Sequence, residues 1–194
     1  MNPMTEPMET MHMTTPTHTP SDASRIRLLD HPATEAELDG LAEVLADCVA
    51  GGASVSFMQP LDVARARAFW RQVADGAARG ERALLVAEDA EGIVGTVQVV
   101  LAQPENQPHR GDVSKMLVHR RARRRGIGAL LMQAAETAAR AHGKTLLVLD
   151  TSSAEAERLY ARVGWTRVGS IPGFALLPDG GPCATTFFYR QLAA

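Results

Sequence analysis

Five arginines fall within positions 120–125 and lead directly to Gly126 and Gly128, where an apolar helical pattern begins. The preceding residues, 112–118, have the pattern of a strand, so the arginines occupy the turn of a strand–loop–helix unit. A helix N-terminus presents unpaired N–H groups and the positive end of the helix dipole, and glycines there let a phosphate come close to the backbone. The segment therefore predicts a phosphate-binding turn, and the rest of the chain must supply a sheet on which the unit can pack.

The arginine cluster is a local feature, because the 194-residue chain has a formal net charge of −2 and a pI of about 6.3. Nucleic-acid-binding domains are more often basic, with a pI above ~9, and aromatic residues do not interleave with these arginines. No apolar run reaches the ~18 residues that cross a bilayer, and no secretory signal pattern opens the sequence. We therefore expect a cytoplasmic protein with no nucleic-acid partner and no membrane partner.

Cysteine and histidine usage points to neither a disulfide nor a metal. Cys48 and Cys183 lie far apart without a CxxC pair, and the histidines have no partners at metal-ligand spacing. We expect two free thiols in a reducing compartment and no metal site.

The order of periodic segments predicts one folded domain after a tail. Residues 1–23 are rich in Met, Thr and Pro and predict a disordered tail, while residues 24–194 predict the domain. Helices are expected at 34–49, 62–78, 128–142 and 154–163, and strands at 26–29, 83–87, 93–101, 112–118, 146–149, 166–171 and 185–191. This order predicts an α/β fold with a mixed sheet (α+β in its antiparallel part) and helices packed on it. The continuous apolar run at 146–149 predicts a strand buried on both faces.

Two familiar phosphate loops do not fit the turn. A P-loop needs GxxxxGK[ST], and a dinucleotide fingerprint needs GxGxxG, but Ala, Leu and Leu follow Gly128. Residues 123–128, RRRGIG, instead match the pattern [Q/R]xxGx[G/A]. Residues 153–165 match NxxAxxLYxxxGF, with Ser153 in place of Asn and Trp165 in place of Phe. On these motifs the chain resembles the GNAT superfamily of acyl-CoA N-acyltransferases over residues 24–191.

Four further stretches resemble the tabtoxin-resistance type of acetyltransferase within that superfamily. They are GGASVSFMQPLD (51–62), VSKMLVHRRARRRGIGALLM (113–132), LLVLDT (146–151) and TRVGSIPGFALLPDGGPCATTFFY (166–189). The resemblance implies a splayed central sheet flanked by helices. It also implies acetyl transfer from acetyl-CoA to an amine of a small molecule, by direct attack in a ternary complex. The acceptor would be a tabtoxin-like amino acid, another small amine antibiotic or a metabolite amine, and a role in toxin or antibiotic resistance would follow from the first two.

The resemblance also assigns the residues that would bind acetyl-CoA. The Met116 N–H would contact the thioester carbonyl, Val118 would pair with the pantetheine arm, and the glycine turn with Arg123 would hold the pyrophosphate. The full expected set is Met116, Leu117, Val118, Arg123, Arg124, Arg125, Gly126, Ile127, Gly128, Ala129, Ser153 and Ala156.

Tyr160 is the expected general acid. A tyrosine with a pKa near ~10 can pass its proton to a departing thiolate, which phenylalanine cannot do. Its helical spacing with Ala156 and Val163 equally suits a core aromatic residue, and the match to the family's LY position favours the catalytic interpretation.

Asp112 and Asp150 are the expected bases. Asp112 lies four residues before Met116, about 13 Å along an ideal strand, so it would act through a water chain. Asp150 ends the next strand and would lie level with Val118 if the two strands are parallel neighbours in that register. Asp150 is therefore better placed to hold an ammonium group or accept its proton. Each aspartate also suits a strand-end cap or a surface charge.

Phe57 and Met58 are expected to line the acceptor pocket together with Asp150, although they also suit simple core anchors. A catalytically silent acyl-CoA-binding or regulatory module is the alternative to an enzyme. The sequence is compatible with a monomer or a homodimer.

Overall fold

The computed structural model describes residues 24–193, which contain seven strands and four α-helices. The strands are β1 (Arg25–Leu28), β2 (Arg82–Asp89), β3 (Gly92–Val100), β4 (Arg110–Val118), β5 (Leu146–Thr151), β6 (Thr166–Leu176) and β7 (Pro182–Gln191). The helices are α1 (Glu35–Ala50), α2 (Val63–Ala78), α3 (Ile127–Ala141) and α4 (Ala154–Arg162). Each corresponds to a predicted segment, and the predicted tail at 1–23 lies outside the described residues.

The strands form one mixed sheet in the order β1-β2-β3-β4-β5-β7-β6. Only β4 and β5 are parallel neighbours, and the other adjacent pairs are antiparallel. The α/β architecture predicted from the sequence is therefore confirmed. Within the described residues, no helix combines the length and apolar content that crossing a bilayer requires.

β4 and β5 separate after a short paired segment. Arg110–Asp112 of β4 pairs with Leu146–Val148 of β5, with Asp112 opposite Val148. Beyond that point β4 continues to Val118 beside β3, while β5 continues to Thr151 beside β7. The sheet therefore opens into a V at the carboxyl ends of these two strands, which is the predicted splay. In open α/β sheets this edge is the usual place for a ligand.

Each face of the sheet carries its own core. α3 and α4 pack on one face, where the buried residues include Val97, Val113, Leu131, Met132, Leu147, Leu149 and Tyr160. α1 and α2 pack on the other face, with Leu41, Leu45, Trp70, Val86 and Leu117. Full burial of a side chain of this size stabilises the fold by about 1.5–3 kcal/mol. The opening between β4 and β5 is thus flanked by a pair of helices on either face.

A β-bulge in β4 reverses which side chains face which core. Thr96 and Gln98 of β3 pair with Leu117 and Ser114 of β4, so β4 has one extra residue between the two pairs. Lys115 in this segment has a φ of 52°, in the left-handed region. As a result Val113 and Met116 both contact the α3 side, although a regular strand would place them on opposite faces.

The prediction that β5 is buried on both faces is wrong. Leu147 and Leu149 are buried under α3, whereas Leu146 and Val148 are only half-buried. α1 and α2 pack mainly on β2, β3 and β4, so they leave the second face of β5 partly open. The open face adjoins the V and contributes to the site described next.

Candidate active site

The turn before α3 is built around left-handed backbone. Gly126 caps the helix with a φ of 80°, and Arg124 has a φ of 63°. A Cβ added to Gly126 would meet no atom within 4 Å, so glycine is required here for its backbone conformation rather than for space. Among the described residues, no side chain caps the start of α3. Its first N–H groups therefore remain available to an anion.

Gly128 serves a different purpose from Gly126. A Cβ at Gly128 would lie 2.9 Å from Cδ2 of Leu159 and 3.8 Å from the sulfur of Met116. The first turn of α3 therefore packs closely against α4 and lies beside β4. Ile127 is buried in the core on the α3 face of the sheet, and half-buried Ala129 lines the cavity described below.

Three of the five clustered arginines anchor the turn to neighbouring elements. The backbone N–H and Nε of Arg120 both donate to Asp47 on α1, each at 2.8 Å. Arg121 and Arg125 contact the Asp89 carboxylate at the end of β2, at 2.9 and 3.2 Å. These contacts support an anchoring role for Arg125, which was expected to bind the cofactor.

The other two arginines are directed differently. Nε of Arg123 donates to the backbone carbonyl of Val118 at 3.2 Å, and the thiol of Cys48 contacts the same oxygen at 3.6 Å. Burial raises the pKa of Cys48, and the nearby charge of Arg123 partly opposes this. Arg124 is exposed and has no hydrogen-bond or ion-pair partner within residues 24–193. The Arg124 guanidinium is therefore a cation available beside the uncapped helix.

The end of β4 presents backbone toward the V. Leu117 and Val118 pair with β3, and the Leu117 side chain is buried in the α1–α2 core. Met116 has no partner residue on β3, because it lies in the bulge, and the pairing with β5 has already ended at Asp112. The Met116 backbone is thus outside both strand ladders of the described sheet, which suits a hydrogen bond to a ligand in the V.

Tyr160 lies on α4 at the α3 face of the sheet and is 5% exposed. Its ring packs edge-on to Phe188 and tilted on Trp165, with centroids 5.7 and 6.2 Å away. Burial raises the pKa of Tyr160, and the charge of Asp150 raises it further. The phenol therefore keeps its proton at neutral pH, as a general acid requires.

Ser153 and Ala156 lie at the start of the same helix. Oγ of Ser153 accepts a hydrogen bond from the Ala156 N–H at 3.3 Å and caps α4. The serine that replaces the family's usual asparagine is therefore used as an N-cap, which stabilises a helix by about 1 kcal/mol.

Asp150 is exposed at the end of β5. The hydroxyl of Thr185 on β7 donates to Oδ2 of Asp150 at 3.0 Å. The prediction that Asp150 lies level with Val118 is wrong. Asp112 is opposite Val148, and this register places Asp150 level with Ser114. The carboxylate lies at the open side of the V, and its charge raises the pKa values of both Tyr160 and Lys115.

Asp112 lies in the paired part of β4, before the V opens. Its carboxylate contacts Arg110 at 3.1 Å and accepts a hydrogen bond from Gln103 at 2.9 Å. These partners support a structural role at the start of the strand.

Lys115 is a candidate residue that sequence reasoning missed. Its Nζ lies 3.1 Å from Oγ of Ser56 and 5.7 Å from the centroid of the Phe69 ring. Burial lowers the pKa of Lys115, while Asp150 partly opposes that effect. Nothing in the pattern of residues 112–118 indicates the bulge that directs this side chain, so the sequence held no local signal for it.

The loop between α1 and α2 forms the wall beside Lys115. Phe57 is buried and packs edge-on against Phe69 at 5.2 Å, whereas Met58 is 39% exposed. Oγ of Ser54 donates to the Leu176 carbonyl at 2.8 Å, which ties the loop to the β6–β7 hairpin. Phe57 is thus an anchor of the wall, and Met58 is accessible on it.

A cavity of about 510 Å³ opens beside the start of α3. Small-molecule sites usually measure roughly 300–1,000 Å³. Its lining residues are Gly126, Ala129, Leu130, Gln133, Glu136, Val163 and Arg190. Two of them, Gly126 and Ala129, belong to the set expected to bind acetyl-CoA. The described residues contain no group of three or more His, Cys, Asp or Glu side chains arranged to hold a metal ion.

The family model of the acetyltransferase (GNAT) domain matches residues 80–167, which include the strands from β2 to β5 with α3 and α4. A phosphinothricin acetyltransferase of Sinorhizobium meliloti, solved with acetyl-CoA, superposes with a TM-score of 0.71 and 18% identity over 88% of this chain and 89% of that one. A ribosomal-protein-alanine N-acetyltransferase of Brucella melitensis gives 0.72 and 24% over 87% and 99%. An N-acetyltransferase of Staphylococcus aureus gives 0.73 and 19% over 88% and 99%.

Residues 80–167, which contain the splayed strands and the turn before α3, thus match a GNAT acetyltransferase domain. The domain match and the acetyl-CoA-bound neighbours together support an acetyl-CoA-dependent N-acetyltransferase, with acetyl-CoA as its co-substrate. The residues present fit that co-substrate, since an uncapped helix start and the unpartnered Arg124 suit its phosphates, and the unpaired backbone of Met116 suits its thioester arm.

Proposed function

We propose that the protein transfers the acetyl group of acetyl-CoA to the amine of a small molecule, by direct attack within a ternary complex. The observation that carries the proposal is the separation of β4 from β5 beside the uncapped start of α3. This geometry leaves room for a thioester arm in the V and for an anion at the helix. The two substrates would enter the V from opposite faces of the sheet.

The donor would bind along β4 and α3. Arg123, Arg124 and the N–H groups at Gly126–Gly128 would hold the pyrophosphate, and the 510 Å³ cavity beside Ala129 supports a place for the adenosine part. Val118 would pair with the pantetheine arm. Its carbonyl accepts from Arg123 in this structure, so pairing would release that guanidinium toward the phosphates.

The residues around the V would stabilise the negative charge that develops in the reaction and would transfer its protons. The Met116 N–H would stabilise negative charge developing on the thioester oxygen. Asp150 would accept the proton that the acceptor ammonium must lose, and Tyr160 would donate a proton to the departing sulfur. One N–C bond forms and one C–S bond breaks. The products are the N-acetylated acceptor, CoA as a thiol and one proton released to solvent.

We propose a toxin or antibiotic amine as the acceptor and the cytoplasm as the place of reaction. The name of the Sinorhizobium neighbour, a phosphinothricin acetyltransferase, supports an acceptor of this class. The resemblance of residues 51–62 and 166–189 to tabtoxin-resistance-type enzymes supports it as well, because these segments flank the acceptor side of the V.

The proposal is tested by calorimetric titration with acetyl-CoA, followed by thiol-release assays over a panel of small amines that includes amino-acid toxins. We expect saturable binding and thiol release that depends on the amine. Binding without release for any amine would contradict acetyl transfer and favour a silent acyl-CoA-binding module. A double variant, Arg123→Ala with Arg124→Ala, is expected to lose binding while keeping its unfolding transition.

A further inference from the structure

We propose that Lys115 determines acceptor specificity by binding an anionic oxygen group, so that the preferred acceptor carries a carboxylate-like group beside its reactive amine. The inference rests on the proposed function and names a feature of its substrate. It is carried by the placement of Lys115 and Asp150 on the two strands that border the V.

Among the described residues, the ammonium of Lys115 is not paired with an acidic side chain. An ammonium has three hydrogen-bond donors, and the Ser56 hydroxyl at 3.1 Å accounts for one of them. Within residues 24–193, no carboxylate forms an ion pair with Lys115. Lys144, the second lysine of the chain, contrasts with it, because its Nζ donates to two backbone carbonyls, each at 2.8 Å.

The local backbone conformation directs the Lys115 side chain toward the loop between α1 and α2, which would form the acceptor wall. Lys115 has a φ of 52° and Ser56, its hydroxyl partner, has a φ of 74°. Left-handed backbone in a non-glycine residue is unfavourable and persists only where the surrounding structure holds it. A bulge often re-aims a side chain next to an active site. Here it turns a cation toward the α1–α2 loop and the ring of Phe69.

Asp150 supplies the opposite charge at the same opening. Its carboxylate acts on Lys115 through its charge, but among the described contacts the Asp150 oxygens do not come within the 4.0 Å of an ion pair with Nζ of Lys115. An acceptor with an amine and an anionic group would place the amine at Asp150 and the anion at Lys115. A simple amine would instead bring a second cation toward Lys115, which is repulsive.

The test compares free L-amino acids with the corresponding L-amino-acid amides, which keep the amine and lose the carboxylate. Wild-type protein is compared with Lys115→Met, which keeps an apolar stem, and with Lys115→Arg, which keeps the charge. Turnover is measured as kcat/KM by thiol release, and acceptor binding is measured by calorimetry in the presence of CoA.

We expect wild-type protein to prefer the acids and Lys115→Met to lose roughly 10- to 100-fold in kcat/KM and affinity for them, the range for a hydrogen bond to a charged group. The amides should be affected little, and Lys115→Arg should retain the preference. Equal losses for acids and amides, or no preference in wild-type protein, would overturn the inference. Binding of acids that depends on Lys115 without any thiol release would support the inference while contradicting acetyl transfer.

Discussion

Thr185 on β7 donates a 3.0 Å hydrogen bond to the Asp150 carboxylate at the end of β5, on the side of the V away from β4. The contact orients a carboxylate that is otherwise exposed. The charge of this carboxylate acts to raise the pKa values of Lys115 and Tyr160. The pair therefore connects β7, the neighbour of β5, to the carboxylate that we propose as the base.

Replacement of Asp150 tests the assignment of the base. Asp150→Asn should lower kcat/KM for the amine by roughly 10²- to 10⁴-fold, because the amide cannot accept the proton of the ammonium group. Acetyl-CoA affinity, measured by calorimetry, should remain unchanged. Thr185→Val should give a smaller loss that Thr185→Ser restores. Full activity of Asp150→Asn at neutral pH would assign the proton to another group.

Replacement of Tyr160 tests the general acid. Tyr160→Phe keeps the ring contacts with Trp165 and Phe188, so the free energy of unfolding should change by about 1 kcal/mol or less. Turnover should fall by roughly 10²-fold or more, because the sulfur then leaves without its proton donor. Thiol-release assays measure turnover, and calorimetric titration measures acetyl-CoA affinity. A parallel loss of turnover and acetyl-CoA affinity would mark the tyrosine as structural.

The arginine cluster is expected to divide into ligand-binding and anchoring members. Arg124→Ala should weaken acetyl-CoA binding by roughly 10- to 100-fold without changing the unfolding transition, because this guanidinium has no partner within residues 24–193. Use of acetyl-pantetheine, which lacks the pyrophosphate, should be unaffected. Arg121→Ala is the matched control, since its side chain pairs with Asp89. It should lower stability by about 1 kcal/mol or less and leave affinity nearly intact.

Asp47 should make the stability of the arginine turn depend on pH. Burial alone would raise the pKa of Asp47, but hydrogen bonds from Arg120 and the charges of His119 and Arg120 lower it below its ordinary value. A carboxyl group with a depressed pKa in the folded state stabilises the protein above its unfolded pKa of about 3.9, and the contribution is lost as pH falls through the folded-state pKa.

Asp47→Asn should therefore lower the free energy of unfolding by about 1.5–3 kcal/mol at neutral pH, and the difference from wild type should narrow as pH falls below about 4. Urea unfolding at several pH values measures this. Glu105→Gln, at an exposed residue without a partner in the described part of the chain, is the control and should show no such dependence. A difference that stays constant with pH would exclude the ion pair as its cause.

Local patterns predicted much of this fold, because helix and strand periodicities depend on neighbouring residues. The segments 128–142 and 34–49 correspond to α3 and α1, and the turn at Gly126 lies where the motif placed it. The register of Asp150 and the bulge at Lys115 depend on how distant strands align. A single inserted residue moves the side chains that follow to the opposite face without altering the composition of the strand. For that reason the sequence did not predict Lys115 as a site residue, and it predicted Asp150 level with Val118 instead of Ser114.

The tie between the α1–α2 loop and the β6–β7 hairpin has an evolutionary consequence. Apart from Lys115, the proposed acceptor wall is formed by residues near 51–61 and 174–185, whereas the proposed thioester site is formed by residues near 112–129. Because the two sets occupy separate stretches of the gene, mutations can retune which amine is modified while leaving the donor machinery intact. Proteins that descend from such a chain can therefore change the amine they modify and keep their use of acetyl-CoA.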